Sequence, residues 1–290
     1  MKMKKIVALV TASALCLGMS MTVMADYSID DDNLVGTNGI DAVTNANPNG
    51  DYGVNMDNVV DGTLYEIQQK YVDEYRAKYP DTDLTDEQIV ASFTTDQIKA
   101  IEDEVNAVLD VFRANGESNE ERLDIFKKNG YVIPAGDVEA VVLATADLTA
   151  TWNNGGAEMT DEEFKKRFPN GMTQQINVGD LVAKNDLGIG DTVYVLHYDV
   201  TTGVWETIPA TVQSVGGDAW ITVNFKSLSP IGIVKVMSNN KVIALDKAGK
   251  PITDDKGNIK VVNTNKNTTS KDVKVKAAST IGKSPKTGEF

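Results

Sequence analysis

The chain has 290 residues, of which 41% are hydrophobic, and its formal net charge is −14. This length suits one large or two ordinary domains, and the apolar content is enough for a packed core. The acidic balance argues against binding to nucleic acid or to an anionic membrane surface.

The first 25 residues have the pattern of a secretory signal peptide. They begin with the basic stretch MKMKK, continue with a long apolar run and reach the small residue Ala25. Signal peptidases cleave after such a site, so we expect cleavage between Ala25 and Asp26 and export of the remaining chain. Cleavage also removes Cys16, the only cysteine. The exported chain then forms no disulfide, and its stability must come from burial or from a bound metal.

Residues 26–56 are predicted to be an acidic leader. They are rich in Asp, Asn and Gly and hold few large apolar side chains. Such a composition buries too little apolar surface to build a domain of its own. Negative charge is concentrated from here to residue 130, because residues 26–130 hold 24 acidic and eight basic side chains.

Residues 57–130 are predicted to be a helical region. Its first apolar stripe recurs every three or four residues and stops at Pro80, which predicts one amphipathic helix. The stripe consists of Leu64, Ile67, Tyr71, Tyr75 and Tyr79. Its tyrosines could serve as a packed face or as a platform for sugar rings.

The rest of the helical region contains capping boxes, in which a threonine and the residue three places later bond each other's backbone N–H groups. These pairs are Thr85 with Gln88 and Thr94 with Gln97. They predict helices over 85–92 and 95–115, with Gly116 as the C-cap of the second. A shorter helix is predicted from Ser118 to the stop at Gly130.

Residues 131–240 carry β-strand patterns, interrupted by one short helix that the capping box of Thr160 and Glu163 predicts. Between residues 138 and 148 nearly every position is apolar, which predicts a strand buried on both faces. The residues that share one strand parity there are Val138, Ala140, Val142, Ala144 and Leu148.

The stretch 172–237 has the densest strand signal of the chain. Turn residues recur roughly every 8–12 residues, a spacing typical of a β-sandwich. In the run DAWITVNF every second residue is apolar, which predicts one buried and one exposed face. The predicted fold class is therefore α+β, with the N-terminal helical region followed by an antiparallel Ig-like β-sandwich over 131–240. Weaker strand signals over 241–262 predict a β-hairpin or an added edge strand, and residues 263–290 are predicted to form a basic linker.

The sequence shows no catalytic constellation. His197 is the only histidine, and it lies within a strand pattern. One histidine without cysteine argues against a zinc site. A Ser-His-Asp triad would need His197 as its base, and no G-x-S-x-G elbow is present. We therefore expect no enzymatic activity, no metal and no cofactor.

Trp205 and Trp220 are the candidate ligand-facing residues. Trp220 shares its strand parity with Thr222 and Asn224 and lies opposite the apolar positions. An exposed tryptophan on a sheet stacks on sugar rings or marks a protein interface. The alternative is that another element of the fold covers it.

Four short patterns stand among the strands of the β region. They are a Gly-Asp-x-Val strand at Gly190, Leu-His-Tyr at Leu196, Trp-Glu at Trp205 and Ser-x-Ser-Pro at Ser227. With them, residues 131–237 resemble a β-sandwich module of Gram-positive, especially clostridial, cell-surface proteins. The resemblance implies a non-enzymatic module that precedes a cell-wall anchor.

The final residues, SPKTGEF, resemble the LPxTG motif that sortase cleaves between Thr and Gly. The motif residues are Ser284, Pro285, Lys286, Thr287 and Gly288, with Ser284 in place of the usual Leu. The resemblance implies sortase and peptidoglycan as partners. A complete sorting signal continues with an apolar span and a basic tail. The chain stops at Phe290, so we expect either a truncated sequence or a remnant motif.

These features together predict a non-enzymatic secreted protein that is displayed on the Gram-positive cell wall. The alternative is an adhesin that binds a carbohydrate or a host protein through exposed aromatic side chains. A second alternative is a cell-wall-acting hydrolase, which would need paired carboxylates in a cleft. The sequence singles out no such pair among its many acidic residues.

Overall fold

The computed structural model describes residues 27–37, 39–45, 50–114, 118–153, 156–238, 241–248, 250 and 252, together with two short strands before residue 25. The helices of this described part are α1 (Val59–Lys78), α2 (Asp86–Ala91), α3 (Thr95–Val111), α4 (Ser118–Lys128), α5 (Asp161–Arg167) and α6 (Gly179–Ala183). The strands are β1 (Leu9–Val10), β2 (Val23–Met24), β3 (Ala42–Asn45), β4 (Tyr52–Asp57), β5 (Val138–Trp152), β6 (Met172–Asn177), β7 (Thr192–Asp199), β8 (Val204–Thr211), β9 (Gln213–Val215), β10 (Asp218–Phe225), β11 (Ile231–Ser238) and β12 (Lys241–Ile243).

Strands β3 to β12 form two antiparallel sheets that pack face to face. One sheet has the strand order β3-β6-β10-β9, and the other has the order β4-β5-β11-β7-β8, with β12 beside β11. Strands β1 and β2 pair only with each other. Apolar side chains from both larger sheets fill a common core, among them Ile221, Phe225 and Ile233. The described chain is thus an α+β fold whose sheets are arranged as a β-sandwich.

Helices α1, α3 and α4 cover the other face of the six-stranded sheet. A second apolar core lies between them, and it joins Ile67 of α1 and Phe126 of α4 to Tyr194 of β7. The rings of Phe126 and Tyr194 meet edge to face with centroids 4.9 Å apart. The structure therefore has three layers, with the six-stranded sheet in the middle.

The predicted capping boxes are confirmed as helix starts. Thr85, Thr94 and Thr160 each accept the backbone N–H of the residue three places later, and that residue's side chain accepts the threonine N–H. These motifs depend only on neighbouring residues. Local sequence is therefore enough to position the first turns of α2, α3 and α5.

The predicted end of α3 at residue 115 is wrong, because the helix ends at Val111. Phe112 is fully buried in the second core, and its carbonyl accepts the N–H of Val35 from the leader. The buried guanidinium of Arg122 donates to the carbonyls of Val111 and Arg113. Contacts from distant segments thus replace the last helical turn, and a local capping rule does not contain them.

The acidic leader contributes one strand to each sheet. Strand β3 pairs with β6 in the four-stranded sheet, and β4 pairs with β5 in the six-stranded sheet. The preceding residues pack on the helical layer, where Tyr27, Ile29 and Leu34 are half-buried. The leader's polar composition did not predict these strands, because their stability comes from pairing with β5 and β6.

A β-bulge in β5 allows the side chains of this strand to pack in both apolar cores. Ala144 lies opposite Ile233, whereas Val142 lies opposite Val234, so Leu143 is the extra residue. An inserted residue reverses the side to which the following side chains point. Val142 consequently packs in the helical core and Ala144 in the core between the sheets. The sequence parity alone placed both residues on one face, which is wrong.

Gly232 of β11 allows α3 to approach the sheet closely. A Cβ atom at Gly232 would lie 2.6 Å from Cε1 of Phe112, well inside van der Waals contact. The Phe112 ring also meets Trp205 edge to face, with centroids 5.4 Å apart. The end of α3 is therefore positioned by the ring of Phe112, which packs directly against the backbone of Gly232.

We predict that Gly232→Ala lowers the free energy of unfolding by about 1–3 kcal/mol, because the methyl group forces the Phe112 ring away. Urea denaturation measures the loss. In a Phe112→Leu background the same substitution should cost much less, because the opposing ring atoms are gone. An equal cost in both backgrounds would contradict the proposed contact.

Candidate functional site

His197 is the centre of a buried chain of polar side chains. It lies on β7, its side chain is fully buried, and its ring packs beside Phe225 with centroids 5.5 Å apart. Its Nδ1 is 3.3 Å from Oε2 of Glu206, the residue directly opposite on β8. Its Nε2 is 2.9 Å from Oγ of Ser229, in the connection before β11. The order serine, histidine, acid is that of a hydrolytic triad.

In this network of side chains, the hydroxyl of Ser229 does not donate its hydrogen bond as a nucleophilic serine does. The Ser229 hydroxyl donates to the carbonyl of Tyr198, and its oxygen lies 2.9 Å from Nε2 of His197. A serine nucleophile instead donates to that nitrogen. Ser229 is also 2% exposed, so a substrate does not reach it. The bond to His197 lowers the pKa of Glu206, because it stabilises the carboxylate. This network of hydrogen-bonded side chains therefore joins β7, β8 and the connection before β11.

A second buried polar group lies between α1 and β5. Asp147 is 1% exposed, and neither of its carboxyl oxygens has a hydrogen-bond partner among the described residues. The same holds for Oε2 of Glu66, which projects from α1. Gly62, one turn earlier on α1, faces Asp147 so closely that a Cβ atom would lie 2.2 Å from Cγ. The helix thus seals Asp147 inside the fold.

Burial raises the pKa of both carboxyl groups well above the ordinary range. For Glu66 the next cause is the negative charge of Asp147, and for Asp147 it is that of Asp57, followed by Glu158. No lysine or arginine in the described part of the chain forms an ion pair with either group. An unpaired carboxylate in an apolar interior is costly, so burial favours the protonated form of both groups.

The two candidate tryptophans occupy different environments. Trp205 is half-buried in the helical core, where its ring contacts Phe112 and lies 5.0 Å from Tyr198. Trp220 is half-exposed on the outer face of the four-stranded sheet, in line with the exposed Thr222 and Asn224. Only Trp220 is positioned to stack on a ligand at the surface.

One surface cavity of about 440 Å³ lies where the leader meets α3 and α4. It is lined by Asp30, Asp32, Asn33, Asp110, Arg113, Ser118 and Glu121. Arg113 forms ion pairs with Asp30 and Asp110 across it. The guanidinium thereby holds the leader against the end of α3, which is a structural role.

The remaining predicted residues lie outside the described part of the chain. These are Ala25 and Asp26 of the cleavage site and Ser284, Pro285, Lys286, Thr287 and Gly288 of the sortase-like motif. Within the described ranges, no group of three or more His, Cys, Asp or Glu residues is arranged to hold a metal ion. No helix among those residues is long and apolar enough to cross a membrane.

No protein family, curated protein or solved structure matches this chain. The resemblance of residues 131–237 to clostridial surface modules therefore stays a prediction.

Sequence reasoning missed most partners of the buried polar groups. Glu206 had a usable signal, because a hairpin centred on the turn at 201–203 places it opposite His197. Asp147 also had a signal, as an acid in the middle of a long and mostly apolar strand. Ser229 had none, because only the packing of the β10–β11 connection brings it to His197.

We predict that Asp147→Asn stabilises the protein more at pH 8 than at pH 5. Burial raises the pKa of Asp147 in the folded state above its value in the unfolded chain. The stability that this residue contributes to the fold is therefore fully present below the unfolded-state pKa, and it is lost as the pH rises toward the folded-state pKa. The neutral amide removes that loss, and the gain at pH 8 should be about 1–3 kcal/mol in urea denaturation.

The matched control is Asp83→Asn, which changes an exposed acid and should have little effect at either pH. If Asp147→Asn shifts the unfolding free energy equally at pH 5 and pH 8, the carboxyl group does not carry a buried proton.

Proposed function

We propose that this chain is a non-enzymatic secreted protein that is displayed on the cell wall of a Gram-positive bacterium. The observation that carries the proposal is the order of segments along the chain. A signal-peptide pattern precedes a layered body, and a Lys-rich stretch with the motif SPKTG follows that body. Residues 241–290 hold eleven basic and five acidic side chains, which suits passage through an anionic wall.

The buried polar chain at His197 supports a non-enzymatic role. Its serine and histidine are enclosed between the sheets, and the serine hydroxyl is directed to a backbone carbonyl. A wall hydrolase would need two carboxylates that face one cleft. Asp147 and Oε2 of Glu66, which the fold brings near each other, are instead buried beside α1.

We also propose that the sandwich is an Ig-like module of the kind found in clostridial surface proteins. Two antiparallel sheets packed around an apolar core support this assignment. In this proposal the helical layer and the leader are additions that cover one face of the module. Sortase would cleave between Thr287 and Gly288 and join Thr287 to an amine of the peptidoglycan.

We predict that Thr287→Ala abolishes covalent attachment to the wall when the gene is expressed from its own locus. Sortase transfers the acyl group of this threonine, so the altered motif should leave the protein in the membrane fraction or the medium. Immunoblots of lysozyme-released wall fractions measure the distribution.

The matched control is Thr280→Ala, which changes a threonine of the same linker outside the motif and should leave the protein on the wall. A wild-type protein that is wholly in the medium, with a distribution that Thr287→Ala leaves unchanged, would refute the anchoring proposal.

A further inference from the structure

Unpaired buried oxygen atoms are concentrated where α1 packs on β5. Among the described residues, eleven buried side-chain nitrogen and oxygen atoms have no hydrogen-bond partner, and five of these are oxygens of α1 and β5. They are Oγ1 of Thr63, Oε2 of Glu66, both carboxyl oxygens of Asp147 and Oγ1 of Thr149. Buried polar groups in folded proteins are nearly always paired, so a group of unpaired oxygens points to a bound water or ion.

The α1 and β5 residues of this group lie on surfaces that face each other. Gly62 of α1 packs against Asp147 so closely that a Cβ atom there would be 2.2 Å from Cγ of Asp147. Glu66 lies four residues after Gly62 and three after Thr63, spacings that place all three on one side of the helix. Thr149 lies two residues after Asp147 and shares its face of the strand. We call Thr63, Glu66, Asp147 and Thr149 the oxygen cluster.

The surroundings of the oxygen cluster are negatively charged. Asp57 lies directly opposite Asp147 on β4, and Glu158 is bridged to β5 at Thr151. Burial raises the pKa of Asp147, and the charges of Asp57 and Glu158 raise it further. No lysine or arginine of the described ranges forms an ion pair with Asp147 or Glu66. Like charges opposite each other on paired strands are destabilising, so the fold gathers carboxyl groups here without the positive charge that would balance them.

The oxygen cluster has the ligand chemistry of a hard divalent cation. Ca²⁺ takes about six to eight oxygen ligands in a flexible geometry, whereas Mg²⁺ demands a nearly ideal octahedron and keeps its waters. The ionised carboxylates of Asp147 and Glu66 carry the charge that neutralises one such ion. No third acidic side chain in the described part of the chain completes a cluster with them. Threonine hydroxyls, backbone carbonyls and water therefore supply the remaining ligands.

We propose that the oxygen cluster binds one Ca²⁺ ion between α1 and β5. The ion replaces the protons that burial otherwise favours on Asp147 and Glu66, and it links the first half of α1 to the middle sheet. Binding therefore stabilises the folded protein. Local sequence does not reveal the site, because its two halves come from segments far apart in the chain. The site belongs to the folded body, so it does not depend on the anchoring proposal.

Urea denaturation of the purified full chain in excess EDTA, in CaCl₂ and in MgCl₂ tests the proposal. We expect CaCl₂ at about ten times its Kd to raise the folding equilibrium constant about tenfold, and MgCl₂ at the same concentration to have a much smaller effect. Isothermal titration calorimetry of the EDTA-stripped and dialysed protein with CaCl₂ should show one ion bound per chain.

Two substitutions test the carboxyl groups separately. Asp147→Asn and Glu66→Gln each remove one charge with little change of shape, and each should weaken Ca²⁺ binding about tenfold or more. The matched control is Glu74→Gln, which removes the same charge from an exposed position of the same helix and should leave the affinity unchanged. Circular dichroism establishes that each variant is folded. The pH-dependent gain of Asp147→Asn belongs to the EDTA-treated protein, in which no Ca²⁺ competes with protons.

The proposal is overturned if CaCl₂ leaves the free energy of unfolding unchanged. It is also overturned if MgCl₂ stabilises the protein as much as CaCl₂, because that result indicates screening of the acidic surface. A Ca²⁺-dependent gain that either Asp147→Asn or Glu66→Gln retains in full overturns it as well. None of these outcomes bears on the wall fractionation, so the two proposals fail separately.

Discussion

The fold depends on the ability of strand β5 to serve two hydrophobic cores at once. The strand lies in the middle layer, with helices on one side and the second sheet on the other. The bulge at Leu143 exchanges the two sides partway along its length. Before the bulge, Val142 and its alternate neighbours pack under the helices, and after it Ala144 and its alternate neighbours pack between the sheets. The small alanines after the bulge let the sheets approach, and the same reversal turns Asp147 toward α1.

Two buried polar groups in this structure show opposite solutions to the cost of desolvation. At His197 both ring nitrogens have partners, and the resulting network of side chains connects β7, β8 and the connection before β11. At Asp147 the carboxyl group has no hydrogen-bond partner among the described residues, and burial raises its pKa and so favours the protonated form. The first arrangement pairs its polar atoms with neighbours, whereas the second leaves a carboxyl group whose ionisation is opposed by burial.

The surface properties of the molecule are divided among separate regions. The helical layer and the leader carry most of the acidic side chains, residues 241–290 are net basic, and the outer face of the four-stranded sheet around Trp220 is mostly uncharged and polar. The helices cover the face of the six-stranded sheet that would otherwise be apolar and exposed. They thereby leave the opposite side of the sandwich as the open sheet surface.

The sequence by itself determined the features that depend on neighbouring residues. These include the capping boxes at Thr85, Thr94 and Thr160, the alternation from Ala219 to Phe225, and the general positions of the strands after residue 190. Tertiary structure alone decided the early end of α3, the recruitment of the leader into both sheets, the bulge in β5 and the meeting of Ser229 with His197. Each of these depends on a contact between segments far apart in the chain. A local sequence pattern can predict that a side chain will be buried. Which residues it contacts in the core depends on how distant strands and helices pack together.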